Sequence, residues 1–405
     1  MRSNVSWPLM QSNISKLSLK AVKKHISGKN PILTNSKNVR IFERNWSEWL
    51  GVKYSTMLNS GSSANFITIS VIKQLFKEFY IFVPSLTWSS DIASVVFQNI
   101  KPILVDICLK TLAFSTSDVM NKVYNIRAVS GLKPTIILFM THILGLKGFT
   151  TNFLHELRQV PNLYIVEDVC ESHGAFHKNK LLGSFGWVSN FSFYYAHHLS
   201  TIEGGMVCTN DRRVYELTRM FRSHGMLRES QSDYIKNRYH SIFKNLNSDF
   251  IFTVPGFNMR SSEINGILGY EQLPYLNCKN IQRSKNFILF LKQLDNTLFF
   301  TQFITKGNSN YALILVLKGG SLKFRDKVEA VLNREGVEYR RGLSGGGNQS
   351  LQPYVLSSLG LNKRYRVTEY VHFFGYYIGN YPELKPSKIS LLCKKLNNSC
   401  CSKTQ

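Results

Sequence analysis

The stretch LYIVEDVCESHGA, residues 163–175, places two carboxylates directly after an apolar run. A continuous apolar run of this kind is typical of a strand in a sheet that helices cover on both faces. Such sheets bind ligands at the carboxyl ends of their strands, where Glu167 and Asp168 fall. Asp168 could there hold a protonated ring nitrogen of a cofactor, or it could cap a following helix. The segment by itself favours neither interpretation.

Similar apolar runs lie on both sides of this stretch and alternate with segments of helical length. They are YIFVP at 80–84, KPILVDI at 101–107, PTIILFM at 134–140, SNFSFYY at 189–195 and GMVCTN at 205–210. This alternation predicts an α/β fold with a central, mostly parallel sheet. Helices are expected at about 62–79 and 211–223.

The pattern changes after Pro255. Apolar residues at helical spacing predict a long helical stretch over 261–294. A strand at 311–317, a helix at 321–335, a strand at 337–340 and a helical tail at 387–396 are expected to follow. We therefore predict two domains: residues 1–255 with the large sheet, and residues 256–405 as a smaller α+β domain.

The chain of 405 residues carries 50 Lys and Arg against 25 Asp and Glu, a net charge of +25. Charged residues make up 19% of the chain, below the roughly 25% of a typical domain, so carboxylates are scarce rather than bases abundant. Nucleic-acid binders usually cluster their bases on one face, so no nucleic-acid partner is expected. Hydrophobic residues at 43% are enough for a large core and exclude a disordered or fibrous chain.

The seven cysteines form no Cys-x-x-Cys pair, which argues against a zinc site and against a disulfide scaffold. The first residues lack the apolar core of a secretory signal. The most apolar run, residues 135–146, is shorter than the roughly 20 residues that span a bilayer. We therefore expect no metal, no membrane insertion and a cytoplasmic protein.

Two polar segments could carry chemistry. In NSGSSAN at 59–65, Gly61 permits a tight turn, and the hydroxyls of Ser62 and Ser63 beside a helix N-terminus suit a phosphate. A plain turn that caps the helix is the more common explanation. The second segment holds His197 and His198, of which at most one should face a given cavity, because neighbours in an extended chain point apart. A histidine suits a general base, although a histidine pair is more often a feature of the loop itself.

Taken in order, these segments resemble the DegT/StrS-type sugar aminotransferases. Those are pyridoxal phosphate (PLP) enzymes of fold type I, the aspartate aminotransferase-like fold, and they act on nucleotide-linked keto sugars. The motifs that carry the resemblance are NSGSSAN, VPSLTW (83–88), EDVCESHGA (167–175), SFYYAHHLSTIEGG (192–205) and GFNMRSSEINGILGYEQL (256–273). The resemblance extends from Trp7 to about Leu396.

The resemblance implies roles for several residues. Asp168 would pair with the pyridine nitrogen of PLP, Trp88 would stack on its ring, and Glu171 would lie near its hydroxyl. The residues that would bind its phosphate are Gly61, Ser62, Ser63, Ser192 and Asn258. Asn258 would come from the other subunit, which implies an obligate homodimer.

One position departs from the aminotransferase pattern. Those enzymes read S-F-x-x-x-K, with a lysine that binds PLP covalently, whereas this chain reads SFYYAH over Ser192 to His197. Imidazole cannot form that bond, so the cofactor would be held without a covalent tether. The same change is found in the PLP-dependent sugar 3-dehydratases. The segments 336–354 and 372–384 resemble theirs as well.

The resemblance thus implies removal of the C3 hydroxyl from a nucleotide-linked 4-keto-6-deoxy sugar, for deoxysugars of surface polysaccharide. His197 would be the catalytic base, with PLP or its amine form, pyridoxamine phosphate (PMP), as cofactor and glutamate as amino donor. Some relatives use an iron–sulfur cluster, but the chain lacks their Cys-x-Cys pair, so it resembles the cluster-free type that acts on GDP-4-keto-6-deoxymannose. Amino transfer at C4 is the alternative, and a non-catalytic regulatory relative is a further one.

Four arginines are candidates for substrate contacts. Arg222 and Arg228 lie where related enzymes place such contacts, and guanidinium groups suit a nucleotide diphosphate. Arg340 and Arg341, beside a glycine cluster, have the same standing. A solvated loop would explain each of the four equally well.

Overall fold

The structure is a computed structural model that describes residues 5–130, 133–360 and 363–400. Its strands are β1 (Tyr54–Leu58), β2 (Tyr80–Pro84), β3 (Ile103–Val105), β4 (Ile107–Cys108), β5 (Ala113–Phe114), β6 (Ile136–Thr141), β7 (Leu163–Asp168), β8 (Phe176–His177), β9 (Lys180–Leu181), β10 (Val188–Ser192), β11 (Gly205–Thr209), β12 (Ala312–Val316), β13 (Tyr339–Arg341) and β14 (Gly375–Gly379). Its helices are α1 (Lys16–Ile26), α2 (Lys37–Leu50), α3 (Gly61–Leu75), α4 (Ser89–Val96), α5 (Thr116–Ser130), α6 (Thr151–Arg158), α7 (Arg212–Arg222), α8 (Asp233–Ile242), α9 (Glu263–Gln272), α10 (Leu276–Gln293), α11 (Leu322–Arg334), α12 (Pro353–Leu359), α13 (Arg366–Phe374) and α14 (Pro386–Asn397).

In the described residues, seven strands form the central sheet, in the order β1-β11-β10-β7-β6-β2-β3. Strand β11 runs antiparallel to both of its neighbours, and every other pair is parallel. Strands β6, β10 and β11 are buried along their whole length. The predicted α/β fold with a mostly parallel sheet is confirmed.

Helices cover both faces of this sheet, as the continuous apolar runs require. In β6, Ile136, Leu138 and Met140 pack on one side with apolar residues of α2, α5 and α6. Ile137 and Phe139 point to the other side and pack with α3, α4 and α7. The alternation follows from the strand period of two residues.

A smaller antiparallel sheet has the order β12-β14-β13 and packs against α10, α11, α13 and α14. The helical stretch predicted over 261–294 is interrupted by a 3₁₀ turn at Leu273–Tyr275, where a proline cannot continue the hydrogen bonding of α9. Helix α9 packs on α1 and α2. The division into domains at residue 255 stays a prediction. Among the described helices, none is both long and apolar enough to cross a bilayer.

Arg222 lies in the protein interior, so its prediction as a substrate contact was wrong. The side chain is almost fully buried, and its guanidinium donates to Glu43 Oε1 at 2.8 Å and to the Met57 carbonyl at 3.0 Å. The same Glu43 oxygen accepts from the Met57 amide at 2.8 Å. The group therefore joins α2, α7 and the edge strand β1, and it is not available to a ligand.

We expect Arg222→Met to lower the free energy of unfolding by about 3–5 kcal/mol, because it leaves the Glu43 carboxylate buried without its ionic partner. Denaturant unfolding measures this change. Arg364→Met is the matched control, since the Arg364 side chain is 76% exposed and the carboxylate of its partner Glu369, at 28% exposure, stays in contact with solvent, so its loss should change the free energy far less. Equal destabilisation by both variants would contradict the importance of the buried pair.

Candidate active site

A cavity of about 390 Å³ opens at the carboxyl ends of β6, β7 and β10, beside the N-terminus of α3. Its far wall includes Arg340 of β13 and Tyr377 of β14, from the small sheet. The predicted site residues that line it are Gly61, Ser62, Trp88, Asp168, Glu171, Ser192, His197 and Arg340. The fold thus brings together segments that are far apart in the sequence.

Besides Arg222, four predicted residues lie outside this cavity: Ser63, Arg228, Asn258 and Arg341. The Ser63 hydroxyl donates to Asn59 at 2.6 Å within the capping turn of α3, and its contact with a phosphate stays a prediction. Arg228 lies over the ring of Phe250, 5.6 Å from the ring centre, and Arg341 pairs with Glu329 at 3.3 Å. Neither arginine lines the cavity of its own chain, and their roles as substrate contacts stay predictions.

Asn258 is exposed on the surface, in a shallow pocket that also contains Asn59 and Arg260. It does not line the cavity of its own chain. Its predicted role requires a second subunit and stays a prediction.

Asp168 ends β7 at the floor of the cavity and is 3% exposed. One carboxylate oxygen accepts from the Cys170 amide at 2.9 Å, and the other accepts from the Asn65 side chain at 3.0 Å. Residues 169–175 form turns that lead to β8, so Asp168 does not cap a helix. The carboxylate is therefore held by two neutral donors at the edge of the cavity.

Glu171 lies beside Asp168 on the same wall. Its carboxyl accepts from the Leu144 amide at 2.8 Å and from the Ser344 hydroxyl at 3.0 Å. Burial raises the pKa of Glu171 to about 7, against the lowering effect of these two hydrogen bonds. The group can therefore gain or lose a proton near neutral pH.

Gly61 allows α3 to approach β10 closely. A Cβ at this position would lie 2.5 Å from the Ser192 Cβ and 3.1 Å from the Cys170 Sγ, so any side chain would force the helix away. The close approach sets the free amides of the first turn of α3 beside the hydroxyls of Ser62 and Ser192. Amides and hydroxyls at a helix N-terminus form a site for an anion.

His197 projects into the cavity from the loop between β10 and β11. Its Nδ1 atom is buried and has no hydrogen-bond partner among the described residues. Burial lowers the pKa of His197 to about 3, so the imidazole is uncharged at neutral pH. His198 instead turns inward, with Nε2 3.2 Å from the Ser309 carbonyl oxygen, as expected for adjacent residues. No lysine lines this cavity in the described part of the chain.

Trp88 precedes α4 at the rim of the cavity, where its side chain is 52% exposed. An exposed indole at the rim is free to stack on a planar ligand.

The segment around residues 7–13 closes one side of the cavity, a role that sequence analysis did not predict. Leu9 and Met10 line the cavity. The Asn13 side chain donates to the His197 carbonyl at 2.5 Å, and Trp7 Nε1 donates to the Gly379 carbonyl at 2.9 Å. Residues 8–15 have an irregular backbone, which no hydrophobic period predicts.

Below Asp168, sequence analysis also missed Asn65 and Asp91. Asp91 is fully buried in the short helix α4. The sequence does contain a signal for Asp91, namely a lone carboxylate in the otherwise uncharged stretch SSDIASVV. Acids are rarely buried without a partner, so a carboxylate in a segment that packs into the core points to a special role.

Comparison with known proteins places this geometry among characterised relatives. The chain is 27% identical, over 93% of its length and 96% of the relative's, to a GDP-4-keto-6-deoxy-D-mannose 3-dehydratase of Escherichia coli O55:H7 (strain CB9615 / EPEC). It superposes with a TM-score of 0.84 on an E. coli GDP-4-keto-6-deoxy-D-mannose-3-dehydratase with bound hydrated PLP, at 26% identity over 97% of this chain and 99% of that one.

A second solved structure, a GDP-4-keto-6-deoxymannose-3-dehydratase with a trapped PLP-glutamate geminal diamine, matches with a TM-score of 0.83 at 26% identity, over 96% of this chain and all of that one. Residues 13–397 match the model of the DegT/DnrJ/EryC1/StrS aminotransferase family. The match covers nearly the whole chain and includes every element that lines the cavity except residues 9 and 10. The chain therefore belongs to the DegT/DnrJ/EryC1/StrS aminotransferase family.

Proposed function

We propose that this chain is a PLP- or PMP-dependent 3-dehydratase of a GDP-linked 4-keto-6-deoxy sugar. The observation that carries the proposal is an uncharged His197 imidazole that lines the cavity, whose described lining contains no lysine. The name and the matching fold of the relatives support it. Amino transfer at C4, the alternative, is the usual outcome when a lysine is available to return a proton to the sugar.

The residues of the cavity fit a pyridoxal-type cofactor. The space that Gly61 leaves beside Ser192 suits the phosphate, together with the first-turn amides of α3 and the Ser62 hydroxyl. Asp168 would hold the ring nitrogen, and Trp88 would stack on the ring. Glu171, whose carboxyl can carry a proton near neutral pH, would hydrogen-bond the ring hydroxyl.

When bound, the cofactor supplies an electron sink next to the sugar carbonyl. His197 cannot bind it covalently, and its neutral imidazole at the cavity wall could accept a proton and later hand it to the departing C3 hydroxyl. Asp168 keeps the ring nitrogen protonated, since a buried carboxylate stabilises a neighbouring positive charge. Arg340, at the cavity wall, would contact the diphosphate of the sugar nucleotide.

We further propose a homodimer in which each Asn258 reaches the cofactor phosphate of the other subunit. Its exposed position outside its own cavity supports this arrangement. Glutamate is the proposed amino donor, in keeping with the PLP-glutamate adduct of a solved relative. A cytoplasmic location agrees with free cysteines at 108, 170, 208, 278 and 393 among the described residues.

With PMP, GDP-4-keto-6-deoxymannose and glutamate to restore PMP after each cycle, the protein should release ammonia, 2-oxoglutarate and a 3-deoxy-4-keto sugar. His197→Asn should lower kcat by about 10²–10⁴-fold, because it removes the proton acceptor, while PMP affinity stays unchanged. Product analysis by mass spectrometry and an ammonia assay measure this. His198→Asn is the matched control and should keep turnover within about tenfold of wild type, since its ring faces away from the cavity.

An aminosugar product would overturn the dehydratase proposal in favour of C4 amino transfer. Absence of any absorbance change when PLP is titrated into the protein would favour the non-catalytic alternative.

The dimer proposal predicts complementation between two inactive variants. His197→Asn and Asn258→Ala subunits, exchanged at equal concentration, should regain roughly a quarter of wild-type activity, because half of the dimers are mixed and each mixed dimer has one intact site. Activity is measured before and after subunit exchange. If Asn258 acts within its own chain, mixing restores nothing.

A further inference from the structure

A second carboxyl lies buried beneath Asp168. Asp91, in the first turn of α4, has no solvent exposure. One of its oxygens accepts from the hydroxyls of Thr87 and of Thr141, the latter at 2.7 Å. The other oxygen accepts from the Asn65 side chain at 2.7 Å.

The Asn65 amide bridges the two carboxyls. Its Nδ2 atom donates to Asp91 at 2.7 Å and lies 3.0 Å from Asp168, so the two acceptor oxygens are no more than about 6 Å apart, close enough to disfavour a charge on both. The amide orientation is fixed from behind, because Asn65 Oδ1 accepts from the Asn190 side chain at 2.9 Å. Asn190 is held in turn by the Thr68 hydroxyl at 2.8 Å.

The groups around this pair are acids or neutral donors. In the described residues, neither Asp91 nor Asp168 forms an ion pair with a base. The titratable neighbours are Cys170, Glu171 and Tyr354; burial and nearby carboxylates raise the pKa of the Cys170 thiol, and burial raises that of Tyr354 to about 12.

His142, on the adjoining strand end, directs its ring to Glu167 at 3.1 Å instead. Burial, followed by the charge of Asp168, raises the pKa of Asp91 well above its ordinary value. The pair therefore has no positive charge to compensate two buried negative charges.

We propose that Asp91 is a positioning residue that holds a proton beneath Asp168, and that this proton sets how strongly the carboxylate of Asp168 attracts a protonated ring nitrogen. While the proton is present, the pair presents a single negative charge. A positively charged ring beside Asp168 favours release of the proton, so ring binding and proton release are linked. The inference rests on the proposed cofactor but not on the reaction that follows.

The sign of the pH effect follows from the raised pKa of Asp91. In the free protein, rising pH forces a second negative charge on the pair and removes stability, whereas Asp91→Asn has no second charge to form. The melting temperature of Asp91→Asn minus that of wild type should therefore increase by about 2 °C or more between pH 5 and pH 8. Saturating PMP should reduce this increase, because the ring supplies a positive charge.

The same linkage predicts PMP affinity. The affinity of wild type divided by that of Asp91→Asn should rise with pH, by at most about tenfold per pH unit, the limit for release of one proton. Asp106→Asn is the matched control, because its carboxylate also accepts from a threonine hydroxyl, that of Thr368 at 2.9 Å, but it hydrogen-bonds to α13 and not to Asn65. The PMP affinity of wild type divided by that of Asp106→Asn should not change with pH.

Infrared difference spectra give a second readout, and the spectrum of the wild-type full chain alone can overturn the proposal. Addition of PMP should remove a protonated-carboxyl band of wild type at neutral pH, and this loss should be absent from Asp91→Asn. Melting differences and affinity ratios that are flat with pH, or an unchanged carboxyl band in wild type, would overturn the proton on Asp91 and leave Asp91 a purely structural residue. If PMP binds neither protein, the proposed cofactor is wrong, and the pH dependence of the free chain alone decides for or against the pair.

Discussion

The structure depends on a carboxylate that is buried at the end of a parallel strand. Asp168 is desolvated, so the surrounding elements must supply donors, and they do so from α3 through Asn65 and from the following turn through the Cys170 amide. The same α3 reaches β10 only because position 61 has no side chain. Helix α3 thus fixes the position of the Asp168 carboxylate relative to the anion site at its own N-terminus. A ligand that is cationic at one end of a ring and phosphorylated at the other matches both.

The sequence predicted what depends on local pattern. Apolar runs and helix signals placed β2, β6, β7 and α7 nearly to the residue, and the family motifs placed Asp168, Trp88 and His197 at the cavity. It failed where a side chain chooses among partners that are distant in sequence. Arg222 could have faced a ligand or a buried acid, and only packing brings Glu43, 179 residues away, to meet it. Nor did the sequence predict that the Ser63 hydroxyl hydrogen-bonds to Asn59 within its own turn.

Histidine in place of lysine changes the electrostatics of the site as well as its covalent chemistry. A lysine would add a positive charge beside the floor, whereas the desolvated imidazole adds none. The positive charges that attract an anionic ligand must then come from Arg340 and from the overall charge of +25, whose field weakens as salt rises. The overall positive charge that attracts an anionic ligand from a distance is therefore independent of the uncharged imidazole of His197 inside the cavity.

The segment that closes the cavity also bears on how the protein is made. Trp7 hydrogen-bonds to Gly379 across 372 residues, and Asn13 holds the loop of His197. A ribosome releases Gly379 372 residues after Trp7, so the side of the cavity formed by Leu9 and Met10 cannot be fixed until Gly379 has emerged. The central sheet, complete by residue 209, can form long before that. During translation the central sheet could therefore fold first, and the cavity wall formed by Leu9 and Met10 would be completed only later.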